Sequence, residues 1–458
     1  MSNNTKYFDI IISGGGLSGC LMALSLADLT KTDGSLLSIA IVEENTFEAS
    51  TLRDNDAAQQ QNIPPLFDER VLALSHASAK YLDSIDVWQH LSIDACAIEK
   101  IDISDRGHYG KARIEAKNHG VSALGYVIAM AKIGQGQLKV LASKSNVHWF
   151  SPDTITNIGW QPSNEVIAEL TPEQLLKLAN ITASEQDIEL ANKVGNTLGN
   201  ELDNHTVNVT LSSGDILQTS LLLACDGVNS PCRQQAKIDV NKNDYQQVAL
   251  IANVATEKAH NNKAFERFTE FGPIAMLPLA ALNNAQSRCS LVWTMSAEQS
   301  EQFLALNDDE FSYQLELAFG SWLGAITQVG KRDAYPLVLL QAQQQTYHRM
   351  ALIGNASHTI HPIAGQGFNL GLRDVQLMAS LIEKQLQSQA DIGSFTLLND
   401  YSKKRAQDQK QIITLTDSLV TLFSNELPPL VTGRNTGLKI MNYFQPLKST
   451  LVNKLMGY

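Results

Sequence analysis

The sequence lacks long apolar runs, paired cysteines and clustered positive charge, and each absence removes a class of protein. No uninterrupted apolar stretch is long enough to span a bilayer, which takes about 20 residues. The apolar run that begins at Ile10 is broken by Gly14 to Gly16, and polar residues precede it, so no secretory signal is expected. The five cysteines (Cys20, Cys96, Cys225, Cys232, Cys289) contain no C-x-x-C pair and are odd in number. They are expected to be reduced, mostly buried thiols of a cytoplasmic protein. Asn-x-Thr sequons such as the one at Asn180 are then chance matches. Lysine and arginine total 35 against 47 acidic residues, a formal charge of -12, and no basic stripe runs along the chain. That argues against a nucleic-acid partner. No cluster of metal-ligand residues and no nucleophile elbow is present, so no metal site is expected.

What is there is glycine in two special places. The N-terminus reads FDIIISGGGLSGC. Tyr7 to Ser13 is predicted as a buried strand and Leu17 to Leu29 as a helix, with Gly14-Gly15-Gly16-Leu17-Ser18-Gly19 between them. Gly14 makes the tight turn, Gly16 lets backbone approach a pyrophosphate, and Gly19 lets helix and strand pack closely. The helix N-terminus adds free N–H groups and partial positive charge. Ser38 to Val42 is predicted as a second strand ending in Glu43 and Glu44, acceptors for the hydroxyls of an adenosine ribose.

Far downstream, ALIGNASHTIHPIAGQGFNLGLRD again sets a glycine-rich loop between a strand and a helix. Asn355, after Gly354, can hydrogen-bond a ribityl hydroxyl. Gly365, Gln366, Gly367, and the helix starting near Phe368 and Asn369, can offer N–H groups to a flavin pyrimidine edge. A third piece, SLLLACDGVNSPCR, puts Asp226 and Gly227 at a buried strand end, suited to a sharp turn near the pyrophosphate. One dinucleotide clasped by both ends of the chain is the economical explanation, and FAD is that dinucleotide.

A chain of 458 residues implies two joined domains. The expected class is α/β: a Rossmann-like FAD-binding domain interleaved with a smaller antiparallel-sheet substrate domain, plus C-terminal helices. Expected boundaries are 1–75, 125–240 and 341–426 for the FAD-binding parts and 76–124 and 241–340 for the substrate parts. A basic, apolar tail over 427–458 completes the division. Within it, a helix is expected to start near Arg70 or Ser75, and Glu99 to Ser104 pairs with Lys111 to Ala116. Gln135 to Ser143 is expected to be helical, Val147 to Phe150 and Leu221 to Ala224 to be strands. Residues 53–62 and 186–205 read as polar loop and turn.

The order of the glycine fingerprint, the Asp226-Gly227 motif and the Gly354-Asn355 motif resembles the group A flavoprotein monooxygenases, the para-hydroxybenzoate hydroxylase fold. Within that family DERVLALS, FTEFGPIAMLPL and HPIAGQGFNLGLRD resemble the ubiquinone-biosynthesis ring hydroxylases, the 2-polyprenyl-6-methoxyphenol hydroxylase branch in particular. The resemblance implies hydroxylation of that polyprenylated phenol para to its hydroxyl, through a flavin C4a-hydroperoxide, with O2 and with NAD(P)H as electron donor. A second dinucleotide fingerprint is missing, as expected where the nicotinamide visits without its own domain. It also implies other quinone-synthesis enzymes and an inner-membrane surface as partners. Two departures stand out: Asn355 replaces the Asp usual after Gly354, and the helix at KIGQGQL offers Gln135 or Gln137 where the family has a clear Arg or Gln.

Candidate catalytic residues lie in the second loop. Pro362 and the residues through Gly367 are expected to face the ring, and His361 either accepts the phenolic proton or packs the loop. His358 and Asp374 are expected to tie the loop and helix down. Arg70 either reaches the flavin or makes a surface ion pair. From Leu427 onward the only charges are Arg434, Lys439, Lys448 and Lys454. This tail either lies on an anionic membrane surface or packs on the flavin domain. Two alternatives stay open: a sister hydroxylase acting at another ring position, and a flavin-binding subunit of a quinone-synthesis complex without turnover. A flavin halogenase is set aside because no W-x-W-x-I-P segment occurs.

Overall fold

Strand β1 (Lys6–Ser13) is buried over its last six residues because it runs through the middle of a parallel sheet. On one side lie β2 (Ile39–Val42) and β8 (Val147–Phe150), on the other β11 (Ile216–Ala224) and β19 (Met350–Leu352). All four run parallel to β1. A strand covered on both faces can be apolar at every position, which is why Ile10, Ile11 and Ile12 are each fully buried. The computed structural model describes residues 5–46, 70–107, 110–160, 206–269, 272–281, 287–360, 366–423, 448–449, 452–454 and 456–458, with side chains of 415–423 excepted.

Helices α1 (Leu17–Ala27), α2 (His76–Ser84), α3 (Met130–Leu141), α7 (Gln366–Gln387) and α8 (Phe395–Phe423) share one core with Ile10, Ile12, Ile39 and Ile41. The opposite face packs Ile11 and Leu222 against β9 (Ile155–Gly159), β10 (Val207–Leu211) and the segment that follows α4 (Pro231–Gln235). At roughly 1.5–3 kcal/mol per buried aliphatic side chain, these two cores account for the position of β1.

The second sheet has nine strands. In order they are β20 (His358–Thr359), β17 (Asp333–Ala342), β12 (Val240–Thr256), β15 (Ser287–Ser296), β14 (Gly272–Leu279), β13 (Lys263–Thr269), β5 (Lys100–Asp105) and β6 (Lys111–Glu115), with β16 (Ile326–Val329) on β12. Every pairing is antiparallel except β13 with β5. One face of this sheet is covered by α5 (Ala297–Ala305) and α6 (Asp308–Phe319), with Phe311, Leu315 and Phe319 buried against Phe265, Met276 and Trp293. The other face meets a small sheet of β3 (Val71–Ser75), β7 (Gly125–Ala129) and β4 (Cys96–Ile98). A short β18 (Thr346–Tyr347) edges β19.

Several local readings change. Of the two expected helix starts, Ser75 holds and Arg70 does not: residues 71–75 pair with β7, and Ser75 caps α2 by accepting the N–H of Ser78. Helix α3 begins at Met130 rather than Gln135, and β11 begins at Ile216 rather than Leu221. The five cysteines are free and buried. Residues 53–62 and 186–205 lie outside the described residues.

The end of the tail packs on the body. Val452 and Met456 are buried against Ile114, Ala116 and Leu124, and Met456 accepts the N–H of Ala77. Lys448 is buried as well. No helix among the described residues is long and apolar enough to cross a membrane.

Candidate active site

Three strand ends from distant parts of the chain converge. Cys225 N–H donates to Ser13 O, and Ile353 N–H donates to Ala224 O, so the loops after β1, β11 and β19 lie side by side. Ligands of open parallel sheets bind at such carboxyl ends.

The glycine loop is fitted to its neighbours. Gly14 adopts φ +94°, and a Cβ there would lie 2.7 Å from Cys225 O. A Cβ on Gly19 would lie 1.8 Å from Gly14 O, so helix and turn touch directly. Gly16 differs: a Cβ there would meet nothing within 4 Å, and the same holds for Gly227 and Gly367. Helix α1 has no side-chain cap at Gly16 and no acidic residue in its first turn, leaving its N–H groups open to an anion.

Glu43 and Glu44 part company. The Glu43 carboxylate is buried, accepting the N–H of Gly15 at 2.7 Å through one oxygen and Asn45 through the other. Glu44 is exposed. Glu43 is therefore the acidic group held on the glycine loop.

Among the described residues, two buried acceptor atoms at this loop have no hydrogen-bond donor: Asp226 Oδ1 and Gln137 Oε1. Asp226 takes the Cys232 N–H on its other oxygen, and burial raises its carboxyl from the ordinary value. Gln137 donates to Leu17 O at 3.1 Å, at the start of α1. Of the two glutamines that the sequence offers, Gln137 reaches the fingerprint helix, whereas Gln135 is half-buried elsewhere on α3. An orphaned buried acceptor beside open glycine backbone fits a ligand rich in hydroxyls and phosphate, as FAD is.

The third loop is braced from behind. Gly354, at φ +61°, presses on Ser18: a Cβ there would lie 2.9 Å from Ser18 Oγ. Its N–H donates to Asp374 Oδ2 at 2.8 Å. Asp374 is fully buried and receives Arg405 Nε on its other oxygen at 2.5 Å, and Arg405 also pairs with Asp408. Asn355 is exposed beside this brace, free to meet a ligand hydroxyl. His358 is buried next to it, with Nδ1 3.1 Å from Gln409 Nε2 and 3.7 Å from Asp374 Oδ2. Burial lowers its pKa from the ordinary value. His358 and Asp374 tie the loop down, as their place in the sequence suggested.

Other candidates are placed differently. The Asn369 side chain is committed to protein: it accepts from Ser75 N–H and the Ser78 hydroxyl and donates to Ala73 O. Gln366 is buried at the start of α7, and Phe368 packs on the helix core. Arg70 lies 5.1 Å from the Tyr335 ring. His361, Pro362 and Gly365 lie outside the described residues.

The family described as "FAD binding domain" matches residues 178–416. "Ubiquinone hydroxylase UbiL" of Rhodospirillum rubrum is 29% identical over 457 residues, covering 99% of this chain and 90% of the relative. "Ubiquinone biosynthesis monooxygenase COQ6, mitochondrial" of Caenorhabditis elegans is 25% identical over 498 aligned positions, covering 100% and 97%. The crystal structure of p-nitrophenol 4-monooxygenase PnpA from Pseudomonas putida superposes with a TM-score of 0.69 at 14% identity, covering 99% of both chains, a likeness of fold.

Proposed function

The chain belongs to the FAD-binding domain family, among the FAD-dependent aromatic monooxygenases, and from that premise we propose that it hydroxylates 2-polyprenyl-6-methoxyphenol para to the phenol in ubiquinone biosynthesis. The observation that carries the cofactor is the meeting of three loops around open glycine backbone with Asp226 Oδ1 left as a buried, unpaired acceptor. The substrate rests on the segments DERVLALS and HPIAGQGFNLGLRD and on relatives named for the ubiquinone pathway.

Bound FAD supplies the oxygen-transfer chemistry, and NAD(P)H the electrons. The chain's residues bind and orient. Backbone N–H groups from Gly14 to Gly19 would hold the pyrophosphate, Glu43 the ribose, and Asp226 and Asn355 the ribityl hydroxyls. The first turn of α7, Gln366 to Phe368, would offer its N–H groups to the flavin pyrimidine edge, where negative charge develops on reduction. The loop with His361 and Pro362 would orient the phenol. The apolar faces of the nine-stranded and small sheets keep water from the ring.

Mass spectrometry of quinone precursors in cells lacking this chain tests the reading. Accumulated 2-polyprenyl-6-methoxyphenol, cleared by the intact chain and not by the Gly16→Ala variant, is the expected result. A different accumulated intermediate would point to the second reading, a sister hydroxylase at another ring position, which the shared pathway names of the relatives also favour. Unchanged quinone levels would overturn both.

A further inference from the structure

Strand β13 has two faces with opposite company. Phe265 meets Phe319 edge-on at 5.7 Å between ring centroids, and the Arg267 guanidinium lies 5.2 Å from the Trp322 ring. Strand alternation sends Ala264, Glu266 and Phe268 to the other face. There Ala264 packs with Leu279, Ile98 and Val127, beside Val71 and Leu277. Register gives Glu266 the neighbours Ile103 on β5 and Ala275 on β14, and the row continues through Val292 on β15 to Ile251 on β12. A carboxyl group stands in a row of aliphatic side chains.

That row lies toward the cofactor loops. One row away, Leu277 packs against the same buried cluster as Val71 at the start of β3. One row to the other side runs from Phe268 through Pro273, Thr294 and Ala249 to Tyr335, which carries Arg70. Strand β3 in turn holds Asn369, in the first turn of α7, through Ala73 and Ser75. The face is only partly covered: Pro273, Ala275 and Leu277 are half-buried along β14, whereas Ile274 and Met276 between them are fully buried.

The Glu266 carboxyl has no hydrogen bond or ion pair with the described residues. The charged side chains that register puts on its face are Asp105 on β5, Arg288 on β15 and Asp333 on β17, the last paired with Lys331. From the elements packed there comes Arg70 on Tyr335, while Lys448 of the tail acts on Glu115 and His119. None neutralises Glu266, and although the residue is half-buried by surface area, desolvation by the surrounding apolar side chains lifts it from the ordinary carboxyl value to about 7.

We propose that Glu266 is the acceptor for the phenolic hydroxyl of the aromatic substrate, a role that rests on the phenol-hydroxylase reading above. The carboxylate receives the O–H hydrogen bond and then the proton, leaving a neutral carboxylic acid and a phenolate. The electron pair of the broken O–H bond stays on the phenol oxygen and raises electron density at the para carbon. Oxygen and reducing equivalents come from O2 and NAD(P)H. An acceptor near 7 is closer in proton affinity to a phenol, at about 10, than an ordinary carboxylate is.

The test uses the FAD-loaded enzyme, with 2-methoxy-6-prenylphenol and its O-methyl ether as probes and flavin absorbance reporting binding. Glu266→Gln is expected to keep the wild-type FAD content, to weaken binding of the phenol but not of the ether, and to lose the rise in turnover with pH near 7. Turnover of the phenol should fall on the order of 10²-fold. Equal affinities for phenol and ether in the wild-type enzyme, or an unchanged pH profile in the variant, would overturn the assignment while ring hydroxylation stood. Absence of any hydroxylated product from the wild-type enzyme would overturn the phenol reading and this role with it.

Discussion

Asp374 holds Gly354 by its backbone: the carboxylate accepts that N–H at 2.8 Å and, through its second oxygen, Arg405 at 2.5 Å. A helix side chain thus fixes the turn that presents Asn355, and a second helix fixes that side chain. Removing one member of a buried ion pair typically costs about 3–5 kcal/mol, because the other charge is left uncompensated. Asp374→Asn should therefore lower the melting temperature and the FAD content together. Arg405→Met combined with Asp374→Leu should cost less than the sum of the two single changes, read in a double-mutant cycle.

The three fingerprint glycines should separate by experiment. At Gly16 an added methyl meets no protein atom, so Gly16→Ala should fold with an unchanged apoprotein melting temperature and yet bind FAD more weakly. At Gly19 the methyl would fall 1.8 Å from Gly14 O, so Gly19→Ala should yield little folded protein at all. Equal apoprotein stability for the two variants would contradict the role given to Gly16.

Gly354→Ala faces two obstacles, the left-handed φ of +61° and the Ser18 hydroxyl. Left-handed backbone costs roughly 1–2 kcal/mol for a residue with a Cβ. Adding Ser18→Gly should relieve the contact and not the backbone cost, so FAD retention should recover only in part.

His358 sets an acid limit. Its folded pKa lies below the ordinary 6.5 because it is buried, so the unfolded chain takes up the proton first as pH falls. The stability it contributes is present above about 6.5 and is lost as pH drops through the lower folded value. Thermal scans from pH 8 to pH 5 should show this loss, and His358→Gln should flatten it.

Glu266 works in the opposite direction. Its folded value of about 7 exceeds the ordinary 4.5, so the folded state holds the extra proton and stability falls as pH rises between those values. Glu266→Gln should match the wild type near pH 5 and melt higher at pH 8.

Much of this was legible in the sequence, for physical reasons. Glycines betray themselves where backbone must bend or pack closely, so the turn at Gly14 and the helix contact at Gly19 were legible in the sequence. The sequence left the helix start open between Arg70 and Ser75 because Val-Leu-Ala-Leu suits a helix as well as a strand, and the pairing of residues 71–75 with β7 decides for Ser75. The partners of the Asn369 side chain, Ser75 and Ser78, could not be read from the sequence because they are distant in the chain. Glu266 passed unnoticed between Phe265 and Arg267 because its isolation depends on four strands brought beside it. Its signal was an acid on the inward parity of an otherwise apolar alternation.

The central strand β1 is made well before its neighbour β11 and before β19 on the far side of β11. During synthesis β1 and β2 therefore wait with one apolar edge unpaired until residues 216–224 arrive, and the loop that Asp374 braces is later still. Such non-local pairing is slow to form and prone to association with other chains while it waits. Flavin capture accordingly follows the synthesis of β19 and of the helix that carries Asp374, and an excess of FAD should rescue the yield of folded protein only when supplied after those residues are made, not while β1 and β2 stand alone.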